Sequence, residues 1–282
     1  MSLLGRLLGR NSKERTPSGF VLALSDFIDL NPAEVMQAFF DQWGTKVACE
    51  ENQEWADPVR KSRKYMLTDG KQAALVTVTN EPLRDELVKL TLEASSTISA
   101  EDKSALQGHQ ASVLLESVPT SQSLTEQMQF ATQVLLVLFR CTPAVGYVSL
   151  AGQMYRTMES MKPFLAESSM SPEMLYLLNV GVQNVDEGGS WWMHTHGLGQ
   201  FGLPDLQIRF SDKAQANYYH DLLSNTSIYG IVEGPVIKVG DTAELAGDGV
   251  VYKIVSVNRV DSRHFGSNGA LDIRPQLRSY GA

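Results

Sequence analysis

The chain has 282 residues, of which 43% are hydrophobic and 20% charged, which marks a globular protein with a sizeable core rather than a disordered one. The formal net charge of -8 argues against a nucleic-acid binder, whose basic face must displace counterions from phosphate. Two cysteines, Cys49 and Cys141, form no C-x-x-C pair or disulfide framework, which fits a reducing compartment.

The opening "MSLLGRLLGRNSKER" carries leucines and arginines, but Gly5, Arg6 and Gly9 interrupt the apolar run. It therefore lacks the unbroken ~7–15-residue core of a signal peptide, and residues 1–18 are expected to form a mobile basic tail. No stretch reaches the ~20 apolar residues of a membrane span, so a cytoplasmic protein is expected.

"GFVLALS" is an apolar run suited to a buried strand. "NPAEVMQAFFDQWG" then predicts a helix, with Asn31 as cap, Pro32 in the first turn and Gly44 as stop. Its apolar face is expected to hold Val35, Met36, Phe39, Phe40 and Trp43. "TKVACE" and "QAALVTVTN" read as strands and "EPLRDELVKLTLEA" as a helix. Between them, "VRKSRKY" packs Arg60, Lys61, Arg63 and Lys64 beside Trp55 and Tyr65. Basic and aromatic side chains together can hold stacked bases. In an acidic chain, a solvated loop or hairpin end without a nucleic-acid role is the expectation.

The polar residues 95–104 suggest a junction, dividing an N-terminal half, 19–95, from a C-terminal half, 105–282. "HQASVLLESV" predicts a strand, and a long helix follows from Ser121 or Ser123, with Met128, Ala131, Val134, Leu135 and Leu138 on one face. "AVGYVSL" is strand-like, and "GQMYRTMESMKPFL" is expected to be helical up to Pro163. "PEMLYLLNVGVQNV" starts as a helical turn and ends as a strand. "DLQIRF" is a strand, "SDKAQANYYHDLLSNTS" a capped helix, and "GPVIKVGDTAEL" with "VYKIVSVNRV" a β-hairpin around "AGDGV". The fold class is thus α+β, built from two strand-helix-strand halves with mixed or antiparallel sheet and a C-terminal β-hairpin.

Functional signal concentrates in "WWMHTHGLGQFGLPDL", residues 191–206. Gly197, Gly199 and Gly202 spell G-x-G-x-x-G, but a dinucleotide loop opens a helix, and here Pro204 and a strand follow. In an extended segment, His194 and His196 share a side, a start for zinc that needs a third ligand from Asp205, His220 or Asp221. Histidines that hydrogen-bond backbone in a crowded turn are the commoner case. No G-x-S-x-G elbow, P-loop or catalytic-cysteine signature occurs. Methionines spaced along residues 154–164 are expected to face core.

Thr195-x-Gly197-Leu198, then Phe201-Gly202-x-x-Asp205-Leu206-Gln207-Ile208, resembles the C-terminal signature of a bacterial domain-of-unknown-function family. The resemblance implies a cytosolic α+β protein without an established catalytic set. In that pattern the position of His194 is often tyrosine and that of His196 varies, which weakens the metal reading. The stretch is therefore expected to be a structural turn that gathers Trp191, Trp192, His194, His196 and Asp205 into a ligand or partner pocket. The expected function is a non-enzymatic binding or protein-interaction module without cofactor; the alternative is a zinc-dependent hydrolase using His194 and His196.

Overall fold

The computed structural model describes residues 19–52, 62–94, 98–245, 247, 249–257 and 269–276. The fold is α+β, and it divides into two compact units, one of residues 17–178 and one from Asn179 onward.

The first unit is built on an antiparallel sheet of seven strands. In chain order these are β1 (Gly19–Leu24), β2 (Ala48–Glu51), β3 (Ser62–Thr68), β4 (Ala73–Thr79), β5 (Ala111–Val118), β6 (Ala144–Ser149) and β7 (Met154–Thr157), arranged β2-β3-β4-β5-β1-β6-β7. β1 lies between β5 and β6 and is buried at all six positions. That explains its continuous apolar run, whereas β4 alternates between buried and half-buried residues.

Helix α1 (Pro32–Trp43) starts and stops where its caps dictate: Asn31 accepts the Ala33 N–H, and Gly44 adopts φ 66°. Its buried stripe is Val35, Phe39 and Gln42; Phe40 is exposed, and Met36 and Trp43 are half-buried. Gln42 is drawn inward because its amide donates to the Leu165 and Glu167 carbonyls.

Two further helices, α2 (Asp85–Ala94) and α3 (Ala100–Gln107), precede β5. The polar stretch read as a junction contains the start of α3, whose Ser99 cap accepts the Asp102 N–H. It connects β4 to β5, and those strands pair from Ala73↔Val118 to Thr79↔Ser112. The division between units falls at residues 178 and 179 instead.

Helix α4 (Leu124–Cys141) begins with a complete Ser123–Glu126 capping box. It packs on α1, β4 and β5, and its residues from Gln127 to Phe139 are almost all buried, on more than the one predicted face. Phe139 and Phe20 both stack edge-on against Tyr147, whose hydroxyl donates to the Leu178 carbonyl at 2.8 Å. The segment predicted to be one helix ending at Pro163 is strand β7 followed by helix α5 (Met158–Leu165), which contains Pro163. Thr157 ends the strand and caps the helix by accepting the Ser160 N–H.

Helix α6 (Pro172–Asn179) leads into the second unit. There, strands β8 (Gly181–Asp186), β9 (Trp191–His196), β10 (Asp205–Phe210), β11 (Thr242–Glu244), β12 (Val251–Ser256) and β13 (Ala270–Pro275) form a mixed sheet, in the order β11-β12-β13-β10-β9-β8. The predicted hairpin is β11 with β12. It joins the sheet through β13, which the sequence reading missed and which runs parallel to β10.

One face of this sheet is apolar, with Met193, Ile208, Phe210, Ile273 and Ile254 buried on it. Helix α7 (Ala216–Glu233) covers that face. Its Tyr219 stacks on Phe210 at 4.6 Å, and the hydroxyls of Tyr218 and Tyr252 lie 2.7 Å apart.

Candidate functional site

Between β9 and β10 the chain makes one short 3-10 turn, Leu198–Phe201, bracketed by two glycines of positive φ. Gly197 has φ 104° and Gly202 has φ 78°, conformations that a Cβ disfavours. The buried Asp205 closes the turn: its carboxylate accepts the Leu198 N–H at 3.1 Å and the Thr195 hydroxyl at 3.2 Å. Thr195 in turn accepts the Leu206 N–H at 2.8 Å. The Gln200 amide donates to the Gly197 and Asn179 carbonyls. Leu198, Phe201 and Leu203 are buried. A dinucleotide loop would open an α-helix and aim amides at a pyrophosphate. Here the third glycine ends the 3-10 turn ahead of strand β10, and the amide of Leu198 is taken by Asp205.

Over residues 194–264 the chain is similar to a family described as Domain of unknown function (DUF4261). No curated protein and no solved structure matches the chain. The matched segment contains the turn, β10, α7 and the β11–β12 hairpin.

The sheet face opposite α7 carries the predicted histidines. Strand alternation puts Trp192, His194 and His196 side by side. The Trp192 and His194 rings lie 4.1 Å apart, and the His194 and His196 rings 4.6 Å apart and nearly perpendicular. The register extends this polarity across four strands, aligning Gln183, His194, Gln207 and Asp272 in one row. Gln207 accepts the Trp192 indole N–H at 3.1 Å. At the margins, the Arg209 guanidinium stands 5.3 Å above the Trp192 ring and pairs with Glu187, while Arg274 donates to Asp272 at 2.7 Å.

Of the five residues expected to share a pocket, three stand together on this face. Trp191 alternates to the other face, half-buried, with the Lys213 ammonium 4.9 Å from its ring. Asp205 is committed to the turn. Trp192, His194 and His196 are themselves buried, at 8%, 0% and 1% exposure, so they do not line an open pocket. Gln183, Gln207 and Asp272 were not singled out in the sequence; their partnership depends on register, which no local motif encodes. For the zinc alternative, His220 and Asp221 lie exposed on α7, 3.6 Å from one another. Among the described residues, no group of three or more His, Cys, Asp or Glu side chains has the arrangement to hold a metal ion.

An open cleft does exist within the matched segment. About 530 Å³ in volume, it lies between the end of α7, the connecting residues 234–241 and the β11–β12 hairpin. Tyr229, Val236, Ile237, Ala243, Leu245 and Ile254 wall it, with Asp241 as its acidic group. Tyr229 is 53% exposed, and Val232, Val236 and Val239 are 56%, 44% and 58% exposed, an unusual concentration of large apolar side chains in water. No local motif marks the cleft, because it depends on how the segment after α7 folds back on β12.

The basic run divides. Arg60, Lys61 and Trp55 lie outside the described residues. Arg63 and Lys64 belong to β3 rather than to a loop, and Tyr65 is buried in the sheet. Arg63 lies 3.3 Å from Asp29 and 3.9 Å from Glu51, and Asp29 leads in pushing its pKa upward. Cys49 and Cys141 are unbridged, and burial pushes each thiol up to about 11, well away from nucleophilic reactivity at neutral pH. Among the described residues, no helix is long and apolar enough to cross a membrane.

Proposed function

We propose that the second unit is a non-enzymatic binding module that takes up an extended apolar protein segment in the cleft beside β11. The observation that carries this reading is the exposure of Tyr229 and Val236 in the wall of an open cleft of about 530 Å³, with Val232 and Val239 also exposed on the same stretch of chain. Large apolar side chains left in water are recovered as binding energy when a partner covers them. β11 is the last strand of its sheet, so its outer edge offers backbone groups to an added strand, while the cleft takes alternate side chains. The unbridged thiols agree with a reducing, cytoplasmic setting.

The hydrolase alternative has less support. His194 and His196 pack edge to face and are buried, and the Asp205 carboxylate holds the turn. A nucleic-acid role is likewise disfavoured by the commitment of Arg63 to Asp29 and Glu51.

The test is a display selection of random twelve-residue peptides on the immobilised full chain. Enriched peptides, synthesised with a fluorophore, are titrated by anisotropy against the parent, Tyr229→Ala and Val236→Asp. The expected result is alternating apolar sequences that bind more than tenfold more weakly to both variants. Enriched peptides that bind the variants and the parent alike would refute the assignment.

A further inference from the structure

We infer that the cleft selects its segment by one anchor, an aliphatic side chain of leucine or isoleucine size whose tip enters an apolar slot behind Ile237. This rests on the reading of the cleft as a peptide site and names what that site prefers. The slot, about 20 Å³ in volume, lies between α7 and the β9–β10 turn and is walled by Leu198, Leu203, Leu206, Leu271 and Gly230. Ile237 lines the slot and the cleft alike, so its side chain is the partition between them.

Local geometry puts Ile237 in that place. The Gly234 N–H donates to the Gly230 carbonyl at 2.8 Å, Gly234 takes φ 81°, and the Val236 N–H returns to the Gly234 carbonyl at 2.8 Å. A left-handed glycine at a helix end followed by so tight a turn reverses the chain. Ile237 is left half-buried between the exposed Val236 and Lys238, whereas Leu198, Leu203, Leu206 and Leu271 are buried. The partition is therefore the one wall that can turn aside without disturbing the core.

The lining decides what enters. A water in the slot needs two or more polar partners. The hydroxyls of Thr226 and Ser227 donate instead to the Leu222 and Leu223 carbonyls of their own helix, each at 2.7 Å. Methyl groups need no partner and gain by leaving water. The volume admits the tip of an aliphatic side chain and shuts out an aromatic ring. Asp241 is the one charged side chain in the described wall of the cleft, so it attracts a Lys or Arg beside the anchor and repels Asp or Glu.

The experiment repeats the display selection of twelve-residue peptides on the full chain of the parent, Gly230→Ala and Ile237→Ala. A Cβ at Gly230 would lie 3.2 Å from the Leu203 Cδ1, a methyl that can give way, so the first variant narrows the slot and keeps the helix. The second widens the passage at a half-buried position. The parent is expected to enrich Leu, Ile or Met at one fixed position, with Lys or Arg next to it. In anisotropy titrations of a parent-selected peptide, changing the anchor from Leu to Phe is expected to weaken binding about tenfold. That deficit should grow in Gly230→Ala and shrink several-fold in Ile237→Ala, opposite shifts that a general loss of fold does not produce. The same anchor preference in all three proteins, with binding still lost in Tyr229→Ala and Val236→Asp, would overturn the anchor and leave the cleft reading standing. Acidic residues enriched beside the anchor would overturn the assigned occupant. If no peptide is enriched on the parent, both readings fall. Both also fall if the parent sediments as a dimer that Val236→Asp dissociates, which would assign the cleft to a second copy of the chain.

Discussion

Asp205 accepts the backbone N–H of Leu198 seven residues behind it, and this contact fastens the β9–β10 turn from the inside. The carboxylate is buried and also accepts the Thr195 hydroxyl, so its removal strands two donors. Hydrogen bonds to a buried charged group are worth about 1.5–3 kcal/mol each in net terms. Asp205→Ala is expected to lower the melting temperature by about 5–10 °C. Asp205→Asn, which keeps an acceptor oxygen, should fall between the two. A melting temperature for Asp205→Ala equal to the parent's would show that the turn does not depend on this contact.

The glycines on either side of the turn give a second test. Gly197→Ala and Gly202→Ala each force a Cβ into positive φ, at a cost of about 1–2 kcal/mol. Both variants should melt lower than the parent, and Gly199→Ala, whose φ is not positive, should be milder. Parent-like melting of both flanking variants would contradict the geometry.

How far sequence alone reached follows from where each signal resides. α1 and α4 were legible because caps are local: Asn31 with Gly44, and Ser123 with Glu126, state their own boundaries. α3 was illegible because only Leu106 is buried along it, which leaves no apolar period to read. β3 was hidden by its charges, since Arg63 and Lys64 masked the burial of Tyr65 and Leu67. At the site, period two put Trp192, His194 and His196 together, because that relation lies within one strand. Gln207 and Asp272 joined them through pairing with distant strands, which is a property of the fold.

Metal content separates the two functional readings directly. Protein purified without a histidine tag is expected to carry substoichiometric zinc by elemental analysis, because the imidazoles of His194 and His196 are buried against one another and against Trp192. Stoichiometric zinc that disappears in a His194→Ala/His196→Ala variant would establish the hydrolase alternative instead.

Gly146 in β6 tests packing without any appeal to φ. A Cβ built there would lie 2.6 Å from the Arg156 carbonyl oxygen and would collide with the Tyr155 ring and hydroxyl. The carbonyl belongs to β7, paired directly opposite, so relief requires moving a strand. Gly146→Ala is expected to cost about 1–3 kcal/mol, as over-packing generally does. Gly188→Ala, where nothing lies within 4 Å, carries a conformational cost alone. A urea midpoint for Gly146→Ala at or above that of the parent would mean that β7 is free to shift.

The last prediction concerns pH, and it rests on His109. This buried imidazole sits between two backbone groups: its Nε2 is 2.6 Å from the Leu83 nitrogen, and its Nδ1 is 2.5 Å from the Leu106 carbonyl oxygen. An amide N–H can only donate, so Nε2 must be bare, and the proton is on Nδ1, donated to Leu106. Protonation at Nε2 would set two donors against each other and break the tie that holds Leu83, ahead of α2, to the end of α3. Burial is the main cause that pushes the pKa of His109 below the ordinary value of 6.5, with the Leu106 hydrogen bond acting in the opposite direction. The unfolded chain therefore takes up the proton at a higher pH than the folded one. The stabilisation is fully present above about 6.5 and is lost as pH falls from there through the lower folded-state value. Urea unfolding between pH 7.5 and 4.5 should show stability declining over that window, with part of the decline absent in His109→Gln. Identical pH profiles for the parent and His109→Gln would remove this histidine from the account.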